Sequence, residues 1–464
     1  MRSTPLTATS TENNGGTLQG PAVTRPLCEF VAHSTWADIP PDVRHEAKRA
    51  LVNYFAVTLA GCNDPDVSKA VTLFQRFSAG ADAPLIGRSE SLDILNAASL
   101  NAMSANVFDF DDTHIPTIIH PTAPVAAALF ALAETRTFTG EQLLLAFVLG
   151  VEVECRLGMA ISPEHYRRGW HITSTCGVFG AAAAVGKLLD LNVQQLSWAM
   201  GNASAQASGL VETLGSAAKS IGVGNAARNG LLSALLAQDG FSGPELPLEG
   251  ERGFLKVMGE NPDFAGITQG LGERWALRAN TYKPYPCGVV LNPVIEACLK
   301  LSRERRWDLP DLTRIELTGH PLLRQRTDRP NIQTGRESQV SAQHAVAVAL
   351  ASGRAGLAEF SDAAVADSNL RALYPLLHFI DDADYAVESA QVRLFFRSGE
   401  ILSHRIDVSR GSLGAPLADG TLENKLRELA RYGGSTCAPQ PLIDALWSLQ
   451  QASDASAVMR LARG

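Results

Sequence analysis

The chain has 464 residues, of which 45% are hydrophobic and 19% charged, and its formal net charge is −8. This length predicts more than one domain, and this composition is that of an ordinary globular protein with a large core. The acidic balance argues against a nucleic-acid-binding surface, which would need clustered Lys and Arg, but it allows an anionic substrate held by a few local cations.

The N-terminal segment, the hydrophobic runs and the cysteines indicate where in the cell the protein is found. Residues 1–24 are rich in Thr, Ser and Gly without an apolar core, so we expect a disordered leader rather than a secretory signal. No run of about 18 apolar residues follows, and no membrane span is expected. Seven scattered cysteines without a CxxC pair predict reduced thiols in a cytoplasmic protein, with Cys287 in "YPCG" the single weak candidate nucleophile.

Helical periodicity dominates the first part of the chain, and we predict an all-helical domain over residues 25–274. Ala and Leu recur at steps of three and four in stretches such as "RHEAKRALVNYFAVTLAG" and "TCGVFGAAAAVGKLLDL". Many of these stretches are apolar nearly all round and rich in Ala and Gly, which indicates helices packed closely inside a domain.

The pattern changes after this region, and residues 275–412 predict a smaller α+β domain. "LTRIELTGH" and "AQVRLFFRSGEILSHRIDVSRG" alternate as strands do, the second around a Ser398–Gly399 turn, and helical stretches lie between them. Residues 413–464 are helical again and are expected to pack back on the first domain. The predicted fold class is therefore mainly α.

The stretch "DFDDTHIPTIIHP" carries the densest chemistry, with three carboxylates and two histidines between Asp109 and Pro121. It is compatible with an aspartyl nucleophile, a metal-held diphosphate or an acid/base pocket. The first needs a preceding β-strand, but "ILNAASLNAMSANVF" is helical in pattern. The second needs a facing metal-binding cluster, and none is found, so context disfavours both.

The acid/base interpretation is supported by other segments. His120 and His171 each precede a small-residue helix, where free N–H groups and the helix dipole favour a bound carboxylate. Lys219 stands at another Gly/Ala-rich helix start, and Lys283 lies in the Pro-stiffened loop "YKPYPCG". Histidine, lysine and carboxylate together can bind polycarboxylates and move a proton beside one.

Several long motifs in order resemble the MmgE/PrpD family from about residue 27 to 460. They are "DFDDTH…HPTAPV", "GWHITSTCGVFGAAAAVGKLLDL", "GNAARNGLLSALLAQDGF", "YKPYPCGVVLNPVIEACL" and "TGRESQVSAQHAVAVAL". The resemblance implies a large helical domain with a smaller α+β lid, a homodimer, and no cofactor or metal. It also implies a small polycarboxylate as substrate, with no nucleic-acid or membrane partner.

The resemblance places the family's pocket on six positions: Asp109, Thr113, His120, His171, Lys219 and Lys283. It implies that one histidine is the general base, while the lysines bind carboxylates and stabilise enolate-like charge. Asp109 and Thr113 would orient the histidines or a water. Tyr282 and Arg326 are further candidates for substrate binding, although packing and an exposed charge respectively explain them as well.

Some positions depart from the family or stay ambiguous. The family's decarboxylases carry a pocket tyrosine near 326–330, but this chain reads "RQRTDRP" with none. Many relatives have Lys-Phe-Ser where Gln339, Val340 and Ser341 stand here. For Asp111 and Asp112, a solvated or capping carboxylate is as good an interpretation as a site role.

The predicted function is acid/base chemistry beside a carboxylate of a small di- or tricarboxylate. A lyase, either dehydratase or decarboxylase, on a citrate- or aconitate-like acid is the leading hypothesis. An epimerase of iminodisuccinate type uses the same abstraction with proton return to the opposite face, and the missing tyrosine weakens the decarboxylase option. A non-catalytic carboxylate-binding scaffold is the remote alternative.

Overall fold

The protein is described by a computed structural model that covers residues 22–304 and 309–464. Residues 1–21 of the predicted leader lie outside the described residues, but its last residue, Thr24, begins helix α1 (Thr24–His33). The backbone N–H groups of Val23 and Thr24 donate to the Glu249 carboxylate at 2.9 and 3.1 Å. These contacts tie the start of α1 to a distant loop.

A large hydrophobic core is built from helices of the N-terminal part together with those of the C-terminal tail. The remaining N-terminal helices are α2 (Pro41–Gly61), α3 (Pro65–Phe74), α4 (Ile94–Asn106), α5 (Thr122–Ala133), α6 (Gly140–Ile161), α7 (Glu164–Arg167), α8 (Ile172–Leu188), α9 (Val193–Ser204), α10 (Ala218–Gln238), α11 (Phe254–Met258) and α12 (Phe264–Thr268). Two short strands, β1 (Ala83–Pro84) and β2 (Ser91–Leu92), form an antiparallel pair beside them.

Small residues let these helices approach one another closely. A Cβ atom on Gly230 of α10 would lie 2.4 Å from the Cβ of Ala181 on α8, so no larger residue fits at that crossing without a shift. Every residue of α5 is buried. The Ala/Gly-rich pattern therefore serves packing.

A second hydrophobic core holds a four-stranded sheet in the order β6 (Leu377–Asp381), β5 (Leu312–Gly319), β7 (Ala390–Phe396), β8 (Ile401–Ile406). β5 pairs parallel with β6 and antiparallel with β7, and the predicted β7–β8 hairpin turns at Gly399, whose φ is +85°. The helices around this sheet are α13 (Asn292–Glu304), α14 (Pro321–Thr327), α15 (Gly335–Ser338), α16 (Ala342–Ser352), α17 (Asp362–Ala366) and α18 (Ser368–Arg371). The predicted fold class, mainly α with a smaller α+β part, is confirmed.

The C-terminal helices are α19 (Asp419–Tyr432), α20 (Pro439–Trp447) and α21 (Ala457–Leu461). α19 lies against α2 and places Leu422 and Leu426 in the first core. Among the described residues, no helix is both long and apolar enough to cross a membrane.

Candidate active site

Asp109 lies at the centre of a cluster formed by segments that are distant in sequence. It follows the end of α4 and has a φ of +50°, a left-handed conformation that Asp tolerates better than most residues. Such backbone strain costs roughly 1–3 kcal/mol and is found most often at functional positions. Its side chain is 28% exposed, so the carboxylate remains accessible.

Two lysines bind the two oxygens of this carboxylate. Lys219, in the first turn of α10, contacts Oδ1, and Lys283 contacts Oδ2 at 3.0 Å. The Lys283 ammonium group also donates to the backbone oxygen of Asp109 at 2.7 Å. Burial alone would raise the pKa of Asp109, but the attraction of Lys219, Lys283 and His120 outweighs it and holds that pKa well below its usual value.

A short ladder brings Lys283 to this loop. Strand β3 (Asp112–His114) pairs antiparallel with β4 (Asn280–Tyr282), so Lys283 directly follows a strand that is hydrogen-bonded beside Asp112. The Thr281 hydroxyl donates to the Thr113 carbonyl at 3.0 Å and fixes the register further. Three residue pairs between β3 and β4 therefore hold these two segments together, although they are far apart in the sequence.

His120 presents one ring nitrogen to Asp109 and the other to the backbone. Its Nδ1 lies 2.7 Å from the Asp112 carbonyl, which only accepts, so Nδ1 carries the proton in the neutral ring. Nε2 lies 3.6 Å from Asp109 Oδ1 and is left as the basic nitrogen. Burial lowers the pKa of His120, Asp111 opposes this, and Lys283 and Lys219 lower it further, so the ring is neutral at neutral pH.

His171 is the N-cap residue of α8, and its Nδ1 lies 2.7 Å from the Ser174 hydroxyl. Its backbone N–H donates to the Gly209 carbonyl at 3.0 Å. Burial, and then the charges of Lys219 and His120, lower its pKa to about 3. The cluster thus combines two neutral imidazoles with two ammonium groups.

Thr113 is buried on β3, with its hydroxyl 3.3 Å from His120 Nδ1. The structure therefore brings five of the six residues that the family resemblance indicates into one network of contacts, and His171 lies within electrostatic reach of it. Asp111 and Asp112 are also buried, so the solvated-carboxylate interpretation of these two residues is wrong.

Two predicted substrate-binding residues do not join the cluster. The hydroxyl of Tyr282 is buried and donates to Glu46 at 2.6 Å, because the alternation of β4 turns this side chain towards α2. Arg326 on α14 is exposed, and its guanidinium group forms no hydrogen bond or ion pair with any described residue. The prediction that Tyr282 binds substrate is therefore wrong, because its hydroxyl is engaged by Glu46.

Tyr166 on α7 is a nearby residue that the sequence analysis missed. Burial raises its pKa, Arg326 lowers it, Asp109 raises it and Lys283 lowers it, which places its hydroxyl within electrostatic reach of the cluster. The only signal in the sequence is its place five residues before His171.

The two buried carboxyl groups of Asp112 and Glu154 form no ion pair with any described residue. The Asp112 carboxyl accepts hydrogen bonds from Thr122 and Asn280, and burial raises its pKa to about 7. Neither carboxyl oxygen of Glu154, on α6, has a hydrogen-bond partner among the described residues. Burial, followed by the nearby Asp112, raises the pKa of Glu154 well above its usual value.

The donor set favours anions over metals. Oxygen and nitrogen atoms of Asp109, Asp111 and His120 lie within 4.8 Å of one another, a spacing that suits a cation. However, the ammonium groups of Lys219 and Lys283 already bind both oxygens of Asp109, and their positive charges would repel a metal cation.

The thiol of Cys287 is not activated as a nucleophile. All seven cysteines are unpaired, and burial raises the pKa of Cys287 to about 12. Since the thiolate is the nucleophilic form, Cys287 is a packing residue.

Comparison with known proteins agrees with the resemblance seen in the motifs. The chain matches the MmgE/PrpD N-terminal domain over residues 25–266 and the MmgE/PrpD C-terminal domain over residues 285–450. It is 27% identical to a cis-aconitate decarboxylase of Aspergillus terreus (strain NIH 2624 / FGSC A1156) over 95% of each chain. It is 25% identical to the cis-aconitate decarboxylase of Mus musculus over 90% of this chain and 88% of that protein, and 26% identical to that of Homo sapiens over 79% of each.

Proposed function

The chain belongs to the MmgE/PrpD family, and on that premise we propose that it is a lyase acting on an aconitate-like polycarboxylate through His120 and His171. The observation that carries the proposal is the pairing of two neutral imidazoles with two ammonium groups around one partly exposed carboxylate. Ammonium groups bind carboxylates, and neutral imidazoles accept protons, so the cluster supplies both needs of such chemistry.

Substrate binding follows from the charges. Lys219 and Lys283 bring two ammonium groups to one partly exposed carboxylate, and these groups can attract a second anion. A substrate carboxylate that binds there shares these ammonium groups with Asp109. The same groups then stabilise the negative charge that develops on the substrate in the transition state.

The imidazoles carry the proton transfers. In a dehydration, the free Nε2 of His120, or His171, removes the C–H proton beside a carboxylate. The hydroxyl leaves as water with a proton from the other ring, which enters this step as imidazolium. In a decarboxylation, the C–C bond breaks, CO₂ leaves, and the electron pair remains on the carbon skeleton until an imidazolium protonates it. The bound polyanion raises the imidazole pKa because its negative charge favours the protonated ring.

An epimerase is the second candidate. Two acid/base groups beside one substrate carbon allow a proton to leave on one face and return on the other, and His171 lies within electrostatic reach of His120. The stretch 326–330 also lacks the tyrosine that is typical of the family's decarboxylases.

Proton NMR in D₂O tests these possibilities on the purified protein with cis-aconitate, citrate, 2-methylcitrate and iminodisuccinate. New vinyl or methylene signals are expected for the lyase, with deuterium on carbon in the product of a decarboxylation. Loss of an α-proton signal without a new carbon skeleton would transfer the assignment to the epimerase. Silence on all four acids, with binding retained, would contradict catalysis and favour a carboxylate-binding scaffold.

A further inference from the structure

Lys425 is a lysine on α19, in the C-terminal tail, that is buried directly behind the candidate site. Its ammonium group donates to Asn53 Oδ1 at 2.8 Å and to the carbonyl oxygens of Phe110 and Lys283, each at 2.9 Å. It also lies 3.7 Å from the centre of the Phe110 ring. An ammonium group has three N–H donors, so its hydrogen-bonding capacity is filled.

The three acceptors belong to segments that must be held together for the cluster to exist. Phe110 follows Asp109, and Lys283 supplies the ammonium group that contacts Asp109 Oδ2 at 3.0 Å. Asn53 lies on α2, which anchors the arrangement to the first hydrophobic core. Lys425 therefore fixes the backbone on both sides of the contact between Asp109 and Lys283.

The surrounding loop is held in the same way along its length. Four successive backbone carbonyl oxygens accept hydrogen bonds from side chains later in the chain: Val107 from Arg336, Phe108 from Gln339, Asp109 from Lys283 and Phe110 from Lys425. Asp109 has a left-handed conformation, which persists only where its surroundings determine it.

We propose that Lys425 is a positioning residue that sets the geometry between Asp109 and the Lys283 ammonium group from behind the site. It does not contact substrate, since all three of its donors are engaged by the protein. The expected effect of Lys425 on kcat rests on the proposed function above, whereas its expected effect on the position and charge contacts of the Asp109 carboxylate does not.

The first test variant is Lys425→Met, which keeps the apolar stem and removes the donors. The matched control is Leu422→Ala, which weakens the same helix at a fully buried position without touching these carbonyls. Both are assayed on cis-aconitate well below their unfolding temperatures. We expect kcat to fall at least about tenfold in Lys425→Met and to stay within twofold in Leu422→Ala, because displacement by about 1 Å is costly to catalysis.

A second readout needs no substrate. The ¹³C carboxyl signal of Asp109, assigned with Asp109→Asn in aspartate-labelled protein, reports how closely Lys283 holds the carboxylate. In Lys425→Met this signal should shift and begin to titrate at a higher pH than in the parent, whereas Leu422→Ala should leave it unchanged. If the parent turns over none of the acids, this signal still decides the role of Lys425.

Lys425→Gln provides the same comparison if the Met variant does not fold, since its amide retains two donors. Its kcat is expected to fall at least fivefold and its Asp109 signal to shift in the same direction. A Lys425 variant whose Asp109 signal and kcat both match the parent overturns the proposal. So does a Leu422→Ala variant that loses as much activity as the Lys425 variants, because the effect would then be general destabilisation.

Discussion

Asp109 and Asp112 stand three residues apart in the segment between α4 and α5 but lie in opposite electrostatic surroundings. Asp109 contacts two ammonium groups, and its pKa lies well below the usual value although the group is largely desolvated. Asp112 accepts hydrogen bonds from the neutral side chains of Thr122 and Asn280, and burial raises its pKa to about 7. Neighbouring cations, rather than depth alone, therefore decide which carboxyl group carries a full charge.

The difference has a consequence for substrate binding. The front of the site, formed by Asp109, Lys219 and Lys283, holds full charges, whereas the carboxyl groups of Asp112 and Glu154 behind it are shifted towards the neutral form. The carboxyl groups of Asp112 and Glu154 therefore cancel less of the positive field of Lys219 and Lys283 than two fully charged carboxylates would.

The largest expected effect comes from removing an imidazole at the front. His171→Ala or His120→Ala should lower kcat on cis-aconitate by about 10²–10⁴, the usual contribution of a general acid or base. Steady-state kinetics measure the loss, and circular dichroism verifies folding. His378→Ala, at an exposed position of β6, is the matched control and should retain full activity. Unchanged kcat in both site variants would remove the histidines from the mechanism.

Removing a front cation should have the next largest effect. Lys219→Met or Lys283→Met should lower kcat/KM by about 10²–10³, since a preorganised charge partner of the transition state is lost. Lys69→Met serves as control, because that ammonium group is exposed and pairs only with Asp66 among the described residues. Equal kcat/KM in the Lys69 and Lys283 variants would contradict the role of the cluster.

A smaller effect, on stability, is expected at the rear. The folded-state pKa of Asp112 is raised from 3.8 to about 7, so its contribution to stability is complete below about pH 3.8 and is lost as pH rises towards 7. Asp112→Asn lacks this titration, and wild type should gain stability over it by up to about 1.4 kcal/mol per pH unit on going from pH 7 to 5. Urea unfolding at both pH values measures the difference. A gap that does not change with pH would show that Asp112 does not titrate in this range.

Arg326→Ala should have the smallest effect. The guanidinium group is exposed and screened, so its attraction for a bound carboxylate is worth at most about 1 kcal/mol, or about fivefold in KM. KM values at low and high salt measure this, and the effect should shrink with salt. A loss as large as that of the lysine variants would show that Arg326 reaches the substrate directly.

Much of the site followed from the sequence, because helix starts are locally encoded. His120 and His171 stand before small-residue helices. The structure places His171 at the N-cap of α8 and His120 two residues before α5, with its Nε2 3.6 Å from Asp109 Oδ1. The alternation of residues 390–406 likewise predicted the β7–β8 hairpin, because a strand's burial pattern is visible in its own residues.

The rest depended on contacts between distant segments. The motif "YKPYPCG" does not reveal that Tyr282 faces Glu46 while Lys283 faces Asp109, since this is decided by how β4 pairs with β3. The role of Lys425 could not be predicted from the sequence, because a lysine on an amphipathic helix is usually exposed and its burial depends on the neighbouring segments. The ionisation of Asp112 depends on burial and is absent from any local pattern.

The most direct test of this account is a ¹³C NMR titration of the aspartate carboxyl carbons in the intact protein. Asp109→Asn and Asp112→Asn assign the two signals. We predict that the Asp109 signal keeps its ionised position from pH 8 down to 4, whereas the Asp112 signal moves to its protonated position with a midpoint near pH 7. If Asp109 protonated within this range, or if Asp112 stayed ionised down to pH 4, the contrast between a charged Asp109 and a largely neutral Asp112 would be wrong.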